Sequence, residues 1–290
     1  HAGIRDPLWS RGLGDVYKRQ KLEYRGYDSA GIATLNNGNI NEVKCEGRVD
    51  VLESNLLKKK LEGNVGIGHV RWATHGIPSS VNAHPHSSEK VSVVHNGIIE
   101  NHQELRAELE LGGYSFESET DTEVIAHLIY EAYRESDSLR LSVTKVLDRW
   151  EGAYAIAVLD SNNADRLIAA RAGSPLVVGL GIGENYVASD PQALRPVTDR
   201  FIFLEEGDLV ELTSDTIDIW NVENSSVIRA DIKVEVGKDD LDKGPFRHFM
   251  EKEIHEHPHA VGETFRQFID YDKGTIGTVS YTHLTLPTKA

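Results

Sequence analysis

Four short segments set polar side chains and glycines where an apolar run stops. They are residues 24–31 (YRGYDSAG), 68–76 (GHVRWATHG), 95–97 (HNG) and 118–123 (SETDTE), with residues 82–86 (NAHPH) between the second and third. HNG follows the apolar run at 91–94, which places Asn96 and Gly97 at a strand end. There an Asn amide and the next backbone N–H can converge on one developing negative oxygen, as an oxyanion hole requires. Taken alone, the tripeptide reads more simply as an Asn-Gly hairpin turn. Arg71 ends another strand-like run and precedes Trp72 in a glycine-rich stretch. Its guanidinium can grip a carboxylate through two parallel hydrogen bonds, although an ordinary surface arginine is an equally good reading. Asp121 stands at a helix start, where capping and the helix dipole already favour an acid. As a pair, Arg71 and Asp121 suit the two ends of an α-amino acid, one holding the carboxylate and the other the ammonium.

His69, His75, His84, His86 and His95 raise the question of a metal, since imidazole is a common zinc ligand. Their spacing matches no standard ligand pattern and no second carboxylate cluster accompanies them, so no metal and no other cofactor is expected. Cys45, the one cysteine, lies in a charged strand-like stretch without a neighbouring histidine. That setting fits a solvent-edge or half-buried thiol, not a nucleophile.

Short β-rich runs at 65–70, 91–94, 153–159, 167–170, 176–179, 201–204 and 209–212 predict strands. The Glu206-Gly207-Asp208 turn between the last two suggests a hairpin. Helices are predicted from Asn101 and from Thr120, each with a Glu three residues on as in a capping box, and over residues 139–150. Gly112 and Gly113 stop the first of them. Residues 234–244 read as a linker, and residues 246–268 as a helix broken at Pro258. Strands and helices come partly in blocks, which favours an α+β layered fold over strict βα alternation.

A chain of 290 residues with 39% hydrophobic and 27% charged residues can bury a sizeable core. Its net charge of −15 argues against nucleic acid and against an anionic membrane surface. No apolar run approaches the roughly 18 residues of a spanning helix, and residues 1–20 lack the apolar centre of a secretory signal. With one cysteine there is no internal disulfide, and a reducing cytoplasm is the expected setting.

In this order, YRGYDSAG, RWATHG, NAHPH, HNGIIENH, SETDTE, then GSPLVVGLG and ASD resemble the class II glutamine amidotransferases. Within that group they are most similar to the glutamine–fructose-6-phosphate aminotransferases, which make glucosamine 6-phosphate for amino sugar biosynthesis. The resemblance runs from about residue 21 to 265 and includes RHFMEKEIHEHP at 247–258. It implies an N-terminal-nucleophile hydrolase fold, a four-layer αββα sandwich with two antiparallel sheets. It implies an amidotransferase domain over residues 21–235, followed at 236–270 by a linker and the start of a sugar isomerase domain. It also implies that Asn96 and Gly97 form the oxyanion hole and that Arg71 and Asp121 hold the carboxylate and ammonium of L-glutamine. Thr74 and His75 line the same pocket, and Trp72 belongs to a loop that closes over it. The full-length enzyme of this kind is expected to be a homodimer acting on fructose 6-phosphate in its second domain.

In that family an N-terminal cysteine attacks the glutamine amide, with its own amino group as base. Here His1 stands first and residues 1–20 and 271–290 are unlike the family, as foreign read-through would be. The expectation is a glutaminase site without its nucleophile, inactive as written and of low stability. The alternatives are a non-catalytic glutamine-binding regulatory module and, less well supported, a metal-dependent hydrolase.

Overall fold

The computed structural model describes residues 27–163, 165–234, 246, 251–252, 254–259 and 261, with the backbone of 269–270 and 275–276. The expectations for residues 1–20, for most of the 234–244 linker and for nearly all of 271–290 lie outside them. The chain divides into one compact unit up to Glu235 and another from Val236 onward.

The first unit opens with strands β1 (Ser29–Asn36) and β2 (Asn39–Glu46), helix α1 (Val49–Lys58) and strand β3 (Val65–Arg71). Asn37 and Gly38, at φ 51° and 75°, make the tight turn between β1 and β2. Two successive left-handed residues match the right-handed twist of a hairpin, which is why Asn-Gly stands there. Strands β4 (His86–Ser88) and β5 (Val91–Ile99) follow, then helices α2 (His102–Leu111), α3 (Asp121–Ser136) and α4 (Leu139–Leu147). Strands β6 (Gly152–Asp160), β7 (Leu167–Ala172), β8 (Val177–Leu180), β9 (Asn185–Ala188), β10 (Arg200–Phe203), β11 (Leu209–Leu212), β12 (Ile217–Trp220), β13 (Ser226–Val227) and β14 (Asp231–Lys233) complete it.

These strands form sheets ordered β2-β1-β3, β14-β10-β8-β9 and β13-β12-β11-β7-β6-β5-β4, with every strand pair antiparallel. Side chains alternate across β6, and both sets are buried. Tyr154, Ile156 and Val158 meet α3 and α4, while Ala155, Ala157 and Leu159 face Val65, Ile67, Val178 and Ile202 of the smaller sheets. Burial on both faces is why β6 reads as an unbroken apolar run instead of alternating. Helix α1 covers the far side of β1–β3 through Leu52 and Leu56 on Ile32, Val43 and Cys45. The result is four layers: helices, the seven-stranded sheet, the two smaller sheets, and a helix.

Helix α3 lies under the site and is buried on nearly all sides, since α2, α4 and the sheet enclose it. Ile125, Leu128 and Ile129 are each at most 1% exposed, a burial worth about 2 kcal/mol apiece. Truncating Ile129 to alanine would leave a cavity costing about 2–5 kcal/mol.

Several expectations need correction. Strands β10 and β11 do not form a hairpin, because β10 pairs with β8 and β14 while β11 pairs with β7 and β12. Gly207 (φ 76°) turns the chain between two sheets, with its N–H on the Arg171 carbonyl. The helices start at His102 and Asp121, but neither capping box forms. Asn101 instead bridges the Arg149 carbonyl and the Glu151 N–H, and Glu123 accepts from the N–H groups of Glu117 and Ser118. Cys45 is 5% exposed, because α1 covers the face of β2 that its charged neighbours conceal in the sequence. In the second unit residues 254–259 are helical, so Pro258 does not break the helix there. Its missing N–H removes one hydrogen bond without ending the run.

Candidate functional site

A cavity of about 280 Å3 is lined by β3, the middle of β5 and β6, β9 and the start of α3. Its wall includes Arg71, Trp72, Thr74, His75, Asn96, Gly97 and Asp121, so the structure brings together the seven residues expected at one pocket.

Arg71 is the last residue of β3 and shares the inward face of that strand with Val65 and Ile67. Only 3% exposed, its guanidinium donates through Nη2 to the carbonyls of His75 and Gly76 (3.1 Å to the latter). Among the described residues Nη1 has no hydrogen-bond acceptor, and its ion partner there is Asp28 Oδ1 at 3.8 Å. Burial pushes the Arg71 pKa down, opposed by Asp28, Asp121 and Glu119. A buried cationic donor without an acceptor is costly, which marks a group awaiting an anion. His75 Nδ1 is likewise buried without a hydrogen-bond partner among the described residues. Trp72 is 63% exposed on the outer lip, where an indole remains free to pack on something outside the fold.

The loop after Arg71 is held by polar groups. Asp28 accepts the Ala73 N–H at 2.6 Å. Asn82 donates to the Ile77 carbonyl at 2.9 Å and to Glu119 Oε2 at 3.0 Å, and accepts the Glu119 N–H. Gly76 (φ 76°) permits the close pass, since a Cβ there would lie 2.6 Å from Asn82 Nδ2.

Asn96 and Gly97 are not a turn and not at a strand end. They lie inside β5, opposite Ala155 and Tyr154 of β6. Gly97 has φ 143°, and a Cβ there would sit 2.0 Å from the Ala153 carbonyl oxygen. Glycine is required by that close approach and by the left-handed-side backbone, not by a hairpin. Asp121 opens α3 and is 4% exposed. Its Oδ2 accepts the Ile99 N–H at 2.9 Å and lies 3.7 Å from His95 Nδ1. The carboxylate thus ties the end of β5 to the start of α3 as well as facing the cavity.

The histidines are used against one another and against hydroxyls. His84 Nδ1 is 3.0 Å from His69 Nδ1, and His84 Nε2 is 2.7 Å from Thr122 Oγ1. Thr122 Oγ1 is also 3.1 Å from His95 Nδ1, and Thr120 Oγ1 is 3.1 Å from His86 Nε2. Burial drives His84 well below the usual imidazole range, helped by His69 and His86, and holds His86 at about 3. His95 is lowered by burial, against the pull of Asp121. Among the described residues no three His, Cys, Asp or Glu side chains are grouped to hold a metal ion. Asp28, Asn82, Glu119 and Thr122 were not singled out as site residues. Their only sequence signal was that they fall inside or beside the quoted motifs. Cys45 lines no part of the cavity, and burial raises its thiol pKa.

Residues 69–196 match the family model described as a glutamine amidotransferase domain. The chain is 50% identical over 260 residues to glutamine–fructose-6-phosphate aminotransferase [isomerizing] of Haemophilus influenzae, covering 89% of this chain and 43% of that one. Against the protein of the same name from Escherichia coli K12 it is 51% identical over 265 residues, covering 90% and 44%. The chain carries a class II glutamine amidotransferase domain. It spans less than half the length of these curated relatives. Among solved structures, glutamine phosphoribosylpyrophosphate amidotransferase from B. subtilis, in complex with ADP and GMP, superposes with a TM-score of 0.60. Identity to it is 27%, over 71% of this chain and 46% of that one. A structure described as the allosteric regulatory enzyme of purine biosynthesis gives 0.61 at 28% identity, over 71% and 45%. The four-layer arrangement is accordingly the N-terminal-nucleophile hydrolase fold. Among the described residues no helix is long and apolar enough to cross a membrane.

Proposed function

We propose that the cavity binds L-glutamine and is the glutaminase site of an aminotransferase that forms glucosamine 6-phosphate from fructose 6-phosphate. The observation that supports it best is the buried Arg71 Nη1, which lacks an acceptor among the described residues in a cavity that Asp121 also lines. In this reading Arg71 takes the α-carboxylate, Asp121 the α-ammonium, and Thr74 and His75 the remaining wall. Asn96 and the Gly97 N–H receive the oxyanion that forms when the side-chain amide is attacked. Trp72, on the exposed lip, covers the bound amino acid. Ammonia from glutamine would then serve a sugar-phosphate reaction elsewhere in a longer, dimeric, cytoplasmic protein of which residues 21–235 are one domain.

The reaction also needs a nucleophile. Cys45 cannot supply it, being buried between β2 and α1 and away from the cavity. Among the described residues no thiol lines the cavity, so turnover by the chemistry of this family requires one to be delivered to the pocket. Replacing residues 1–20 with a Cys-Gly-Ile strand and helix of the family tests this. Glutamate release by the replaced chain alone supports the assignment. A folded but inactive replacement would count against the named residues and favour a glutamine-binding regulatory module.

A further inference from the structure

Behind Asp121 runs a row of polar groups, half-buried His69 followed by buried His84, Thr122 and His95. The three links are 3.0, 2.7 and 3.1 Å. Thr122 is fully buried at 0% exposure, His84 is 6% exposed and His95 is 3% exposed. No water can substitute for a lost link at such positions without a cavity being opened for it.

The chemistry of the row restricts it to two orders. A neutral imidazole has one N–H and one lone pair, and a threonine hydroxyl has a single proton to donate. His84 must therefore donate on one side and accept on the other, and the Thr122 hydroxyl must point at one of its two imidazoles. If Thr122 donates to His95, then His95 Nδ1 is a lone pair, and that lone pair faces the Asp121 carboxylate at 3.7 Å. If Thr122 donates to His84, it accepts from a His95 Nδ1–H that faces the same carboxylate. Like-signed charge disfavours the first order and the carboxylate favours the second. The opposing influence is the Ala153 carbonyl, which also draws a proton on His95. Among the described residues His95 Nε2 makes no hydrogen bond of good geometry.

We propose that Thr122 is a positioning residue of the amino-acid site: its hydroxyl fixes the order of donors along His69, His84 and His95, and so keeps the His95 Nδ1–H facing Asp121. The inference rests on the assignment of Asp121 to the ligand ammonium. In this order both His84 and His95 carry their proton on Nδ1, and His69 presents a lone pair at Nδ1. Without the Thr122 oxygen, His95 Nδ1–H loses its hydrogen-bond acceptor, because the Asp121 oxygen at 3.7 Å is beyond hydrogen-bond reach, and the proton moves to Nε2, toward Ala153. Asp121 then faces a lone pair and loses its alignment for a cation.

Two-bond 1H–15N spectra of the 15N-labelled chain read the tautomer of each imidazole, and calorimetry reads the affinity for L-glutamine. The unaltered chain and Thr122→Ser should show Nδ1–H on His84 and His95, with dissociation constants within about twofold of each other. Thr122→Val should shift His95 to Nε2–H and weaken glutamine about tenfold, the weight of one hydrogen bond to a charged group. A role in packing alone predicts lower stability for Thr122→Val with the tautomer and the affinity unchanged, and that result would overturn the proposal. If Thr122→Val does not fold, the unaltered spectrum decides: Nε2–H on His95 overturns the order and Nδ1–H sustains it. Glutamine binding with His95 in the other tautomer removes this inference alone. An ordered row without glutamine binding removes the amino-acid reading alone.

Discussion

Two arginines in this fold hold loops by similar means and end in opposite states. Arg229 gives Nε and Nη2 to the two oxygens of Asp208, at 3.0 and 2.9 Å, and Nη1 to Glu205 at 2.8 Å. All three guanidinium nitrogens are engaged, and Asp208 itself is 0% exposed. Arg71 is more deeply buried than Arg229, yet among the described residues its Nη1 has no acceptor. A guanidinium whose donors are all satisfied is part of the scaffold. One that is buried and left short is a place where the fold tolerates a cost until a ligand arrives.

Mutation should separate the two. Arg71→Ala is expected to weaken L-glutamine about 100-fold, since hydrogen bonds to a charged group are worth roughly 1.5–3 kcal/mol each. Calorimetry on the folded variant reads this, and unchanged affinity would put Arg71 with the scaffold. Arg229→Ala is expected to do the reverse. It strands a buried carboxylate, lowers the unfolding free energy by about 2–3 kcal/mol in urea titrations, and leaves glutamine affinity as it was. A loss of binding by a folded Arg229→Ala chain would erase the distinction.

Acid sharpens it further. His84, His86 and His95 all have folded-state pKa values below the usual 6.5, that of His86 at about 3. Below pH 6.5 the unfolded chain takes up protons that the folded chain refuses. Their contribution is thus complete above pH 6.5 and falls as pH drops toward the folded values, by up to about 1.4 kcal/mol per pH unit for each ring. Urea titrations at pH 7.5, 6.5 and 5.5 should show that decline, and His86→Gln should flatten part of it. The smallest effect concerns Cys45. Its buried thiol should react with a thiol reagent only as fast as the protein opens, and fast labelling of the folded chain would show α1 to be loosely held.

The layers were legible because their cause is local. Doubly buried strands such as β6 must be apolar throughout, and α3 keeps its apolar spacing inside a polar motif. Two Asn-Gly pairs show the limit. Asn37-Gly38 turns a hairpin, whereas Asn96-Gly97 stays within β5, because Ala153 approaches so closely that only glycine fits. The dipeptide is the same and the difference comes from β6, more than fifty residues on. The Gly207 turn misleads similarly, since β8 and β7 decide which sheets its neighbours join. The site residues were legible as words in a family's order, more than from physics, because Arg71 and Asp121 each had a plain alternative reading. Thr122 gave no signal, since nothing in a threonine beside an aspartate says that two imidazoles will meet its hydroxyl.

The most direct measurement is a calorimetric titration of L-glutamine into the unaltered chain, Arg71→Ala and Asp121→Asn, with Arg229→Ala as the structural control. The account predicts one-to-one binding by the unaltered chain and by folded Arg229→Ala, and its loss in the other two. Equal binding by Arg71→Ala and Asp121→Asn, or none by the unaltered folded chain, would contradict it.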